Sequence, residues 1–267
     1  MAGGTSYYFS KALRHIDVSY NLVTLLARSE MPVVDELRHN GITVKAFTSE
    51  HSVYFENTYS DNQDHRTQRV LQKADGFTIE QFKDVEAELF HLGPLLADDI
   101  TPDVIKYLAT KGKISLDVQG YLREVRGYEV CAVDWPDKEA ILSHVHTLKA
   151  NEHEMEVLTG TNDINKGAKM LSAWGVKEVV ITLGSMGSVI YADSIFYTIP
   201  AYVPIAVVDA TGCGDTYMAG YLYQRAKHID IEQAGKFASA MASLKIQASG
   251  PFNGTEQDVR KLLAANS

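Results

Sequence analysis

Apolar, β-rich runs alternate with amphipathic stretches along most of the 267-residue chain, the pattern of an α/β layered fold. Residues 20–26 (YNLVTLL) make a continuous apolar run, expected as a buried strand. Residues 32–40 carry helical spacing, ended by Gly41 where a left-handed residue is wanted. Further strand-like runs fall at 90–92, 114–118, 146–149, 178–183 and 188–191. Helical patterns are placed at 6–13, 103–110, 137–145, 152–158, 164–174, 216–226 and 231–247. That order predicts a mostly parallel sheet covered by helices on both faces.

One stretch breaks the alternation. Residues 51–59 (HSVYFENTY) and 65–73 (HRTQRVLQK) are two β-type runs joined by the polar turn 60–64, which predicts a hairpin projecting from the sheet. Taken alone, such a hairpin is more often an edge decoration than a lid over a pocket. No low-complexity segment, internal repeat or Pro-rich linker divides the chain. Residues 1–267 are therefore expected to form one domain, with the hairpin at 50–73 as its appendage.

Composition narrows the function without naming it. Lys and Arg number 25 against 34 Asp and Glu, a net charge of −9, which argues against binding nucleic acid or anionic lipid through bulk charge. Two cysteines, Cys131 and Cys213, cannot make a disulfide framework and fit a reducing compartment. Within the first 30 residues the longest apolar run, 22–27, is too short for a signal core or a membrane span. The expectation is a cytoplasmic protein.

The chemistry concentrates at 207–215 (VVDATGCGD), where an apolar run, expected as a strand, meets a Gly-rich turn and then a helix. The N–H groups of Gly212, Cys213 and Gly214 are expected to point unpaired at the helix mouth, where the helix dipole favours an anion. Asp215 then lies where it can take a proton from a hydroxyl attacking a bound phosphorus. A plain strand-to-helix turn with Asp215 as its N-cap would use the same residues. At 151–154 (NEHE) an Asn and an acidic turn open a helix, which is also an ordinary capping arrangement.

The full string Asp-x-Thr-Gly-x-Gly-Asp at 209–215 resembles the signature of the ribokinase family of small-molecule kinases, also called the phosphofructokinase-B family. The resemblance implies an α/β three-layer sandwich with a mostly parallel central sheet and a small β-hairpin lid. It implies ATP- and Mg²⁺-dependent transfer of the γ-phosphoryl group to a hydroxyl of a sugar or polyol, with Asp215 as base and Gly212, Cys213 and Gly214 as the anion hole. Asn151 and Glu154 resemble the family's Asn-x-x-Glu element, which organises Mg²⁺ through its waters. Residues 182–187 (TLGSMG) resemble its nucleotide-contacting turn, with Thr182, Gly184 and Gly187 near ATP, although a simple hairpin would also want these glycines. Residues 117–123 (DVQGYLR) resemble a stretch in which Arg123 faces the transferring phosphate; an exposed salt bridge is the plain alternative, and Arg126 is a second candidate.

Outside those motifs the resemblance implies less specific roles. Gly250 and Asn253 fall in a loop that borders the adenine pocket, and the backbone around Asp209 is a candidate K⁺ site. Gly3 and Gly4 resemble the glycine pair that lies against the sugar, and the family's first strand, whose Asp binds substrate hydroxyls, is expected to be missing ahead of them. With the family in view the hairpin becomes a sugar lid, with Phe55, Asn57 and Arg66 or Arg69 as substrate contacts and its strands as the seam of a homodimer. Cys213 stands where the family commonly has Ala: an inert filler, or a thiol made redox-sensitive by the helix N-terminus. Histidines 51, 65, 91, 144, 146, 153 and 228 show no metal-ligand spacing and are expected to be surface or packing residues.

The acceptor stays open. Residues 117–123 and 148–151 (LKAN) resemble inositol kinases somewhat, beside ribose, fructose and nucleoside kinases. The competing reading is a catalytically silent ligand-binding or regulatory member of the same fold. A hydride-transfer protein would need a G-x-G-x-x-G turn after the first strand, and none is visible.

Overall fold

The computed structural model describes residues 2–59 and 66–266, without the side chains of 57–59, 66 and 67. Its centre is a six-stranded sheet of β5 (Leu89–Leu92), β6 (Lys113–Asp117), β9 (Thr147–Asn151), β10 (Glu178–Thr182), β11 (Ser188–Ala192) and β12 (Ile195–Ile199), in the order β12-β11-β10-β9-β6-β5. β5, β6, β9 and β10 run parallel, and the hairpin β11–β12 adds an antiparallel edge. A separate parallel pair, β1 (Asn21–Ala27) and β2 (Thr43–Ser49), is bridged by α2 (Met31–His39).

Three layers follow from how β10 divides its side chains. Val179 and Ile181 join one core cluster with residues of α3 (Pro102–Ala109), α4 (Lys138–Leu142), α5 (Glu152–Thr159) and α6 (Ile164–Ala173). Val180, between them, faces the opposite cluster, built by α7 (Cys213–Ala226) and α8 (Ile231–Lys245). Successive strand residues point to opposite faces, so a strand apolar at every position must be covered on both. α1 (Gly4–Leu13) and α9 (Glu256–Ala264) complete the second layer against Phe237 and Met241 of α8. Among the described residues no helix is long and apolar enough to cross a membrane.

The projecting hairpin is present as β3 (Tyr54–Tyr59) and β4 (Arg66–Gln72). Two unanticipated strands, β7 (Arg123–Arg126) and β8 (Glu129–Ala132), widen it into a four-stranded antiparallel sheet ordered β3-β4-β8-β7. They are four residues each, REVR and EVCA, without a period-2 pattern and too short to stand out in the sequence.

One expected strand is absent. The apolar run ahead of the Gly-rich turn pairs with no sheet: Val203, Ile205, Val207 and Val208 are 91%, 96%, 73% and 56% exposed. The segment is instead anchored by the Val208 and Asp209 amides, which both donate to the Ile246 carbonyl.

His91, on β5, is a packing residue. Its ring stacks on Phe9 at 4.5 Å, Nδ1 meets Ser115 Oγ at 3.0 Å, and Nε2 is buried without a partner among the described residues. Burial pushes its pKa down to about 4; Asp117 opposes that and Lys149 adds to it. The unfolded chain therefore takes up this proton first, so stability present above pH 6.5 is lost as pH falls toward 4. His91→Phe is expected to remove roughly 3 kcal/mol of that acid sensitivity, read as a smaller difference between urea-unfolding free energies at neutral and acid pH. An unchanged difference contradicts the assignment.

Candidate active site

Three neighbouring parallel strands end together. The register sets Asp117 of β6 beside Lys149 of β9, and Asn151 at the end of β9 beside Thr182 at the end of β10. The carboxyl edge of such a sheet is where α/β proteins bind ligands. α7 starts at the same edge, after a turn in which Gly212 is left-handed, with φ of 76°. A Cβ on Gly212 would lie 2.2 Å from the Tyr8 ring, so both conformation and contact require glycine.

The turn corrects one expectation about the anion hole. The Cys213 amide donates to the Ala210 carbonyl at 3.1 Å and closes the turn. Among the described residues, the amides of Gly212, Gly214 and Asp215 are left without a protein acceptor. The nest therefore consists of those three donors, and Cys213 contributes geometry rather than an N–H. Its thiol lies 3.9 Å from the Ala242 carbonyl, and burial pushes its pKa up to about 11, which favours the inert filler over the redox-sensitive thiol.

Asp215 is surrounded by groups that the motif alone does not mention. Burial raises its pKa to about 6, and the Asp117 carboxylate adds to the rise. Lys149, a hydrogen bond from the Thr5 hydroxyl and Arg123 pull the other way. Lys149 is buried, with Nζ 3.0 Å from Asp117 Oδ2 and 3.5 Å from Glu154 Oε2. Burial alone would lower the Lys149 pKa, but Asp117 and Glu154 overcome it and raise it. A Cβ on Gly214 would lie only 3.5 Å from this ammonium, which places Lys149 under the turn. Sequence reasoning missed Lys149, Asp117 and Thr5 as site residues. The available signal was a lysine inside the strand-like run 146–149, where an unpaired buried charge would be expensive.

Asn151 and Glu154 form a reciprocal capping box. Asn151 Oδ1 accepts from the Glu154 amide, and Glu154 Oε2 accepts from the Asn151 amide, each at 2.8 Å. The ordinary helix-opening role is thus filled. Among the described residues Glu154 Oε1 retains only a long contact from Gln119 Nε2 at 3.4 Å. Asn151 and Glu154 also line a cleft of about 230 Å³ with Gln119, Arg123 and His153. Among the described residues no three His, Cys, Asp or Glu side chains gather as a cation cage. An amide and a carboxylate without a cation cage are the kind of donors that suit Mg²⁺ held through its waters rather than directly.

Arg123, the first residue of β7, links this cleft to the hairpin: its guanidinium lies over the Phe55 ring at 5.7 Å. Arg126 is instead ion-paired to Glu124 at 2.7 Å on the exposed end of β7. Arg69 pairs with Glu56 across β3–β4. The side chains of Asn57 and Arg66 lie outside the described residues. Gly3 caps α1 two residues before Thr5, the helix residue whose hydroxyl reaches Asp215.

The remaining candidates divide. Thr182 ends β10, and Gly184 and Gly187 adopt positive φ in the tight turn that follows. A Cβ on Gly187 would meet the Ile199 carbonyl at 2.1 Å, so packing accounts for this glycine. The Gly250 amide donates to Asp209 Oδ2 at 3.3 Å, tying its loop to the Gly-rich turn, whereas Asn253 is exposed. The residues beside Asp209 do not fit a K⁺ ion. Lys245 Nζ occupies that position, 2.7 Å from the Asp209 carbonyl oxygen.

Known proteins are similar to this chain in sequence and fold. The profile of the pfkB family carbohydrate kinases matches residues 119–258. A ribokinase of Arabidopsis thaliana is 32% identical over 143 residues, 51% of this chain and 38% of the relative. A nucleoside kinase of Methanocaldococcus jannaschii is 34% identical over 112 residues, 41% of this chain and 35% of the relative. The aligned chain thus spans well under half the length of either. A solved pyrophosphate-dependent kinase in the ribokinase family, complexed with a pyrophosphate analog and myo-inositol, superposes with a TM-score of 0.87 at 28% identity, covering 97% of this chain and 91% of that one. The Arabidopsis thaliana ribokinase complexed with ribose and ATP has a TM-score of 0.79 at 21% identity, covering 98% and 88%, and shares the fold.

Proposed function

Because the chain belongs to the pfkB family of carbohydrate kinases, we propose that it transfers the γ-phosphoryl group of ATP to a hydroxyl of a sugar or polyol. The observation that carries this reading is Asp215. It is a carboxylate poised near pH 6, one residue past a turn whose free amides suit a phosphate. In the proposed reaction the ionised Asp215 accepts the acceptor hydroxyl's proton as that oxygen attacks phosphorus. The Thr5 hydroxyl orients the carboxylate, and the amides of Gly212, Gly214 and Asp215 meet charge on the transferring group. Arg123 reaches the same group from the lid side, and Lys149 favours the ionised form of Asp215. Mg²⁺, held through water at Asn151 and Glu154, would neutralise donor phosphate charge. Thr182, Gly184 and Gly250 border the donor side, while Gly3, Gly4 and Phe55 border the acceptor.

A second donor has a specific observation behind it. The neighbour at TM-score 0.87 is described as pyrophosphate-dependent and was solved with myo-inositol. A backbone nest with one arginine recognises phosphates rather than a base, and so suits either donor. We further propose a cytoplasmic protein, with one edge of the lid sheet, β3 or β7, pairing between two copies.

The test pairs donors with acceptors: ADP release from Mg·ATP and phosphate release from Mg·pyrophosphate, each across sugars, cyclic polyols and nucleosides. Acceptor-dependent ADP release supports the reading, and release only from pyrophosphate moves the donor assignment. No release with any pair supports the silent ligand-binding member instead.

A further inference from the structure

The cation beside Asp209 belongs to the chain. Lys245 ends α8, and its side chain has no exposed surface. Nζ donates to the Asp209 main-chain oxygen at 2.7 Å and lies 3.4 Å from Asp209 Oδ2. The face of the Tyr8 ring lies 5.9 Å away. A K⁺ ion and an ammonium carry the same charge and are satisfied by the same carbonyl and carboxylate oxygens. A second cation against the Asp209 main-chain oxygen would meet the buried ammonium at contact distance, and the two like charges would repel.

The ammonium also bears on the anion-binding turn. Asp209 Oδ1 accepts the Thr211 amide at 2.9 Å, two residues along. Asp209 Oδ2 accepts the Gly250 amide, and the Asp209 amide itself is held by Ile246, the residue after Lys245. Tyr8, beneath the ammonium, is the ring against which Gly212 packs. Lys245 therefore joins the end of α8, the 209–212 turn and α1.

We propose that Lys245 is a built-in monovalent cation that holds the Asp209–Gly212 turn in its phosphate-binding shape, so that the protein needs no exchangeable K⁺. The turnover arm of its test rests on the kinase reading above; the binding arm does not.

The experiment uses the full chain in tetramethylammonium salt, with K⁺ or NH₄⁺ exchanged in at constant ionic strength. Thermal unfolding and phosphoryl transfer are both read. The wild type is expected to show the same midpoint and the same turnover in all three salts. Lys245→Met is expected to lose most of its turnover in tetramethylammonium and to regain it in K⁺ or NH₄⁺. Its unfolding midpoint should rise with those ions alone, as for any ligand that binds only the folded state. A K⁺-specific rise in the wild-type midpoint, or a K⁺ requirement for wild-type turnover, overturns the proposal. So does a folded Lys245→Met whose midpoint ignores K⁺. If Lys245→Met does not fold in any salt, the wild-type midpoint decides alone: unmoved supports, raised by K⁺ overturns. If no acceptor is ever phosphorylated, the midpoints still decide, and only the kinase reading fails.

Discussion

Asp215→Asn is expected to lower turnover by about 10²- to 10⁴-fold, the usual contribution of a positioned base, and at the same time to stabilise the protein. Burial, with Asp117 second, lifts the Asp215 pKa from 3.8 to about 6. The native state therefore binds this proton more tightly than the unfolded chain does. The stability that Asp215 contributes is full below pH 3.8 and is lost as pH rises through about 6. Asparagine never ionises and escapes that loss, so at pH 8 the variant should gain roughly 2–3 kcal/mol over wild type. The gain should shrink on acidification and vanish near pH 4. In the wild type, kcat/KM should fall tenfold per pH unit below about 6, because only the ionised carboxylate is a base. Urea unfolding at several pH values, beside a pH–rate profile, checks both halves. Turnover within tenfold of wild type would remove Asp215 as the base, and a pH-independent stability difference would remove the explanation by burial.

Lys149→Met should have the largest effect on stability. It leaves the buried Asp117 carboxylate, 3.0 Å from the lost ammonium, and the nearby Glu154 carboxylate without their cation. Breaking a buried pair from one side typically costs about 3–5 kcal/mol, because the remaining charge stays enclosed. The same ammonium opposes the rise in the Asp215 pKa, so the acid limb of the rate profile should move to higher pH. Adding Asp117→Asn removes one stranded charge and should restore part of the stability. Lys149→Arg is not expected to substitute, since a planar fork does not fit a point-charge seat under Gly214. A loss below about 1 kcal/mol, the range of an exposed pair, together with an unmoved acid limb, would exclude this arrangement.

Local signals made much of the fold readable. Expected helices at 152–158, 164–174 and 231–247 appear as α5, α6 and α8 with Asn151, Asp163 and Asp230 as their caps, because a capping residue and apolar spacing lie within a few turns of one another. The runs at 114–118, 146–149 and 178–183 are strands, since residues buried on both faces must be apolar throughout. β2, β7, β8 and β12 were not anticipated. β7 and β8 are too short to show period-2 patterning, β2 pairs with β1 only across α2, and β12 follows β11 through the turn Asp193-Ser194, which lacks the usual glycine signal. The apolar run that opens 207–215 misled because strand composition alone does not secure a pairing partner: Val207 and Val208 stay exposed and join no sheet.

By itself the sequence determined the α/β layering, the family through its Asp-x-Thr-Gly-x-Gly-Asp string, and the carboxylate on which the proposed chemistry turns. These are written in contiguous residues, where spacing and conformational preference act directly. Only the tertiary structure decided which amides of the turn remain free, what environment Asp215 has, and which cation sits beside Asp209. Lys149 reaches Asp117 across 32 positions and Lys245 reaches Asp209 across 36. Thr5 comes to Asp215 from the other end of the chain. Burial and Coulomb energy depend on distance through space, and a motif records only distance along the chain.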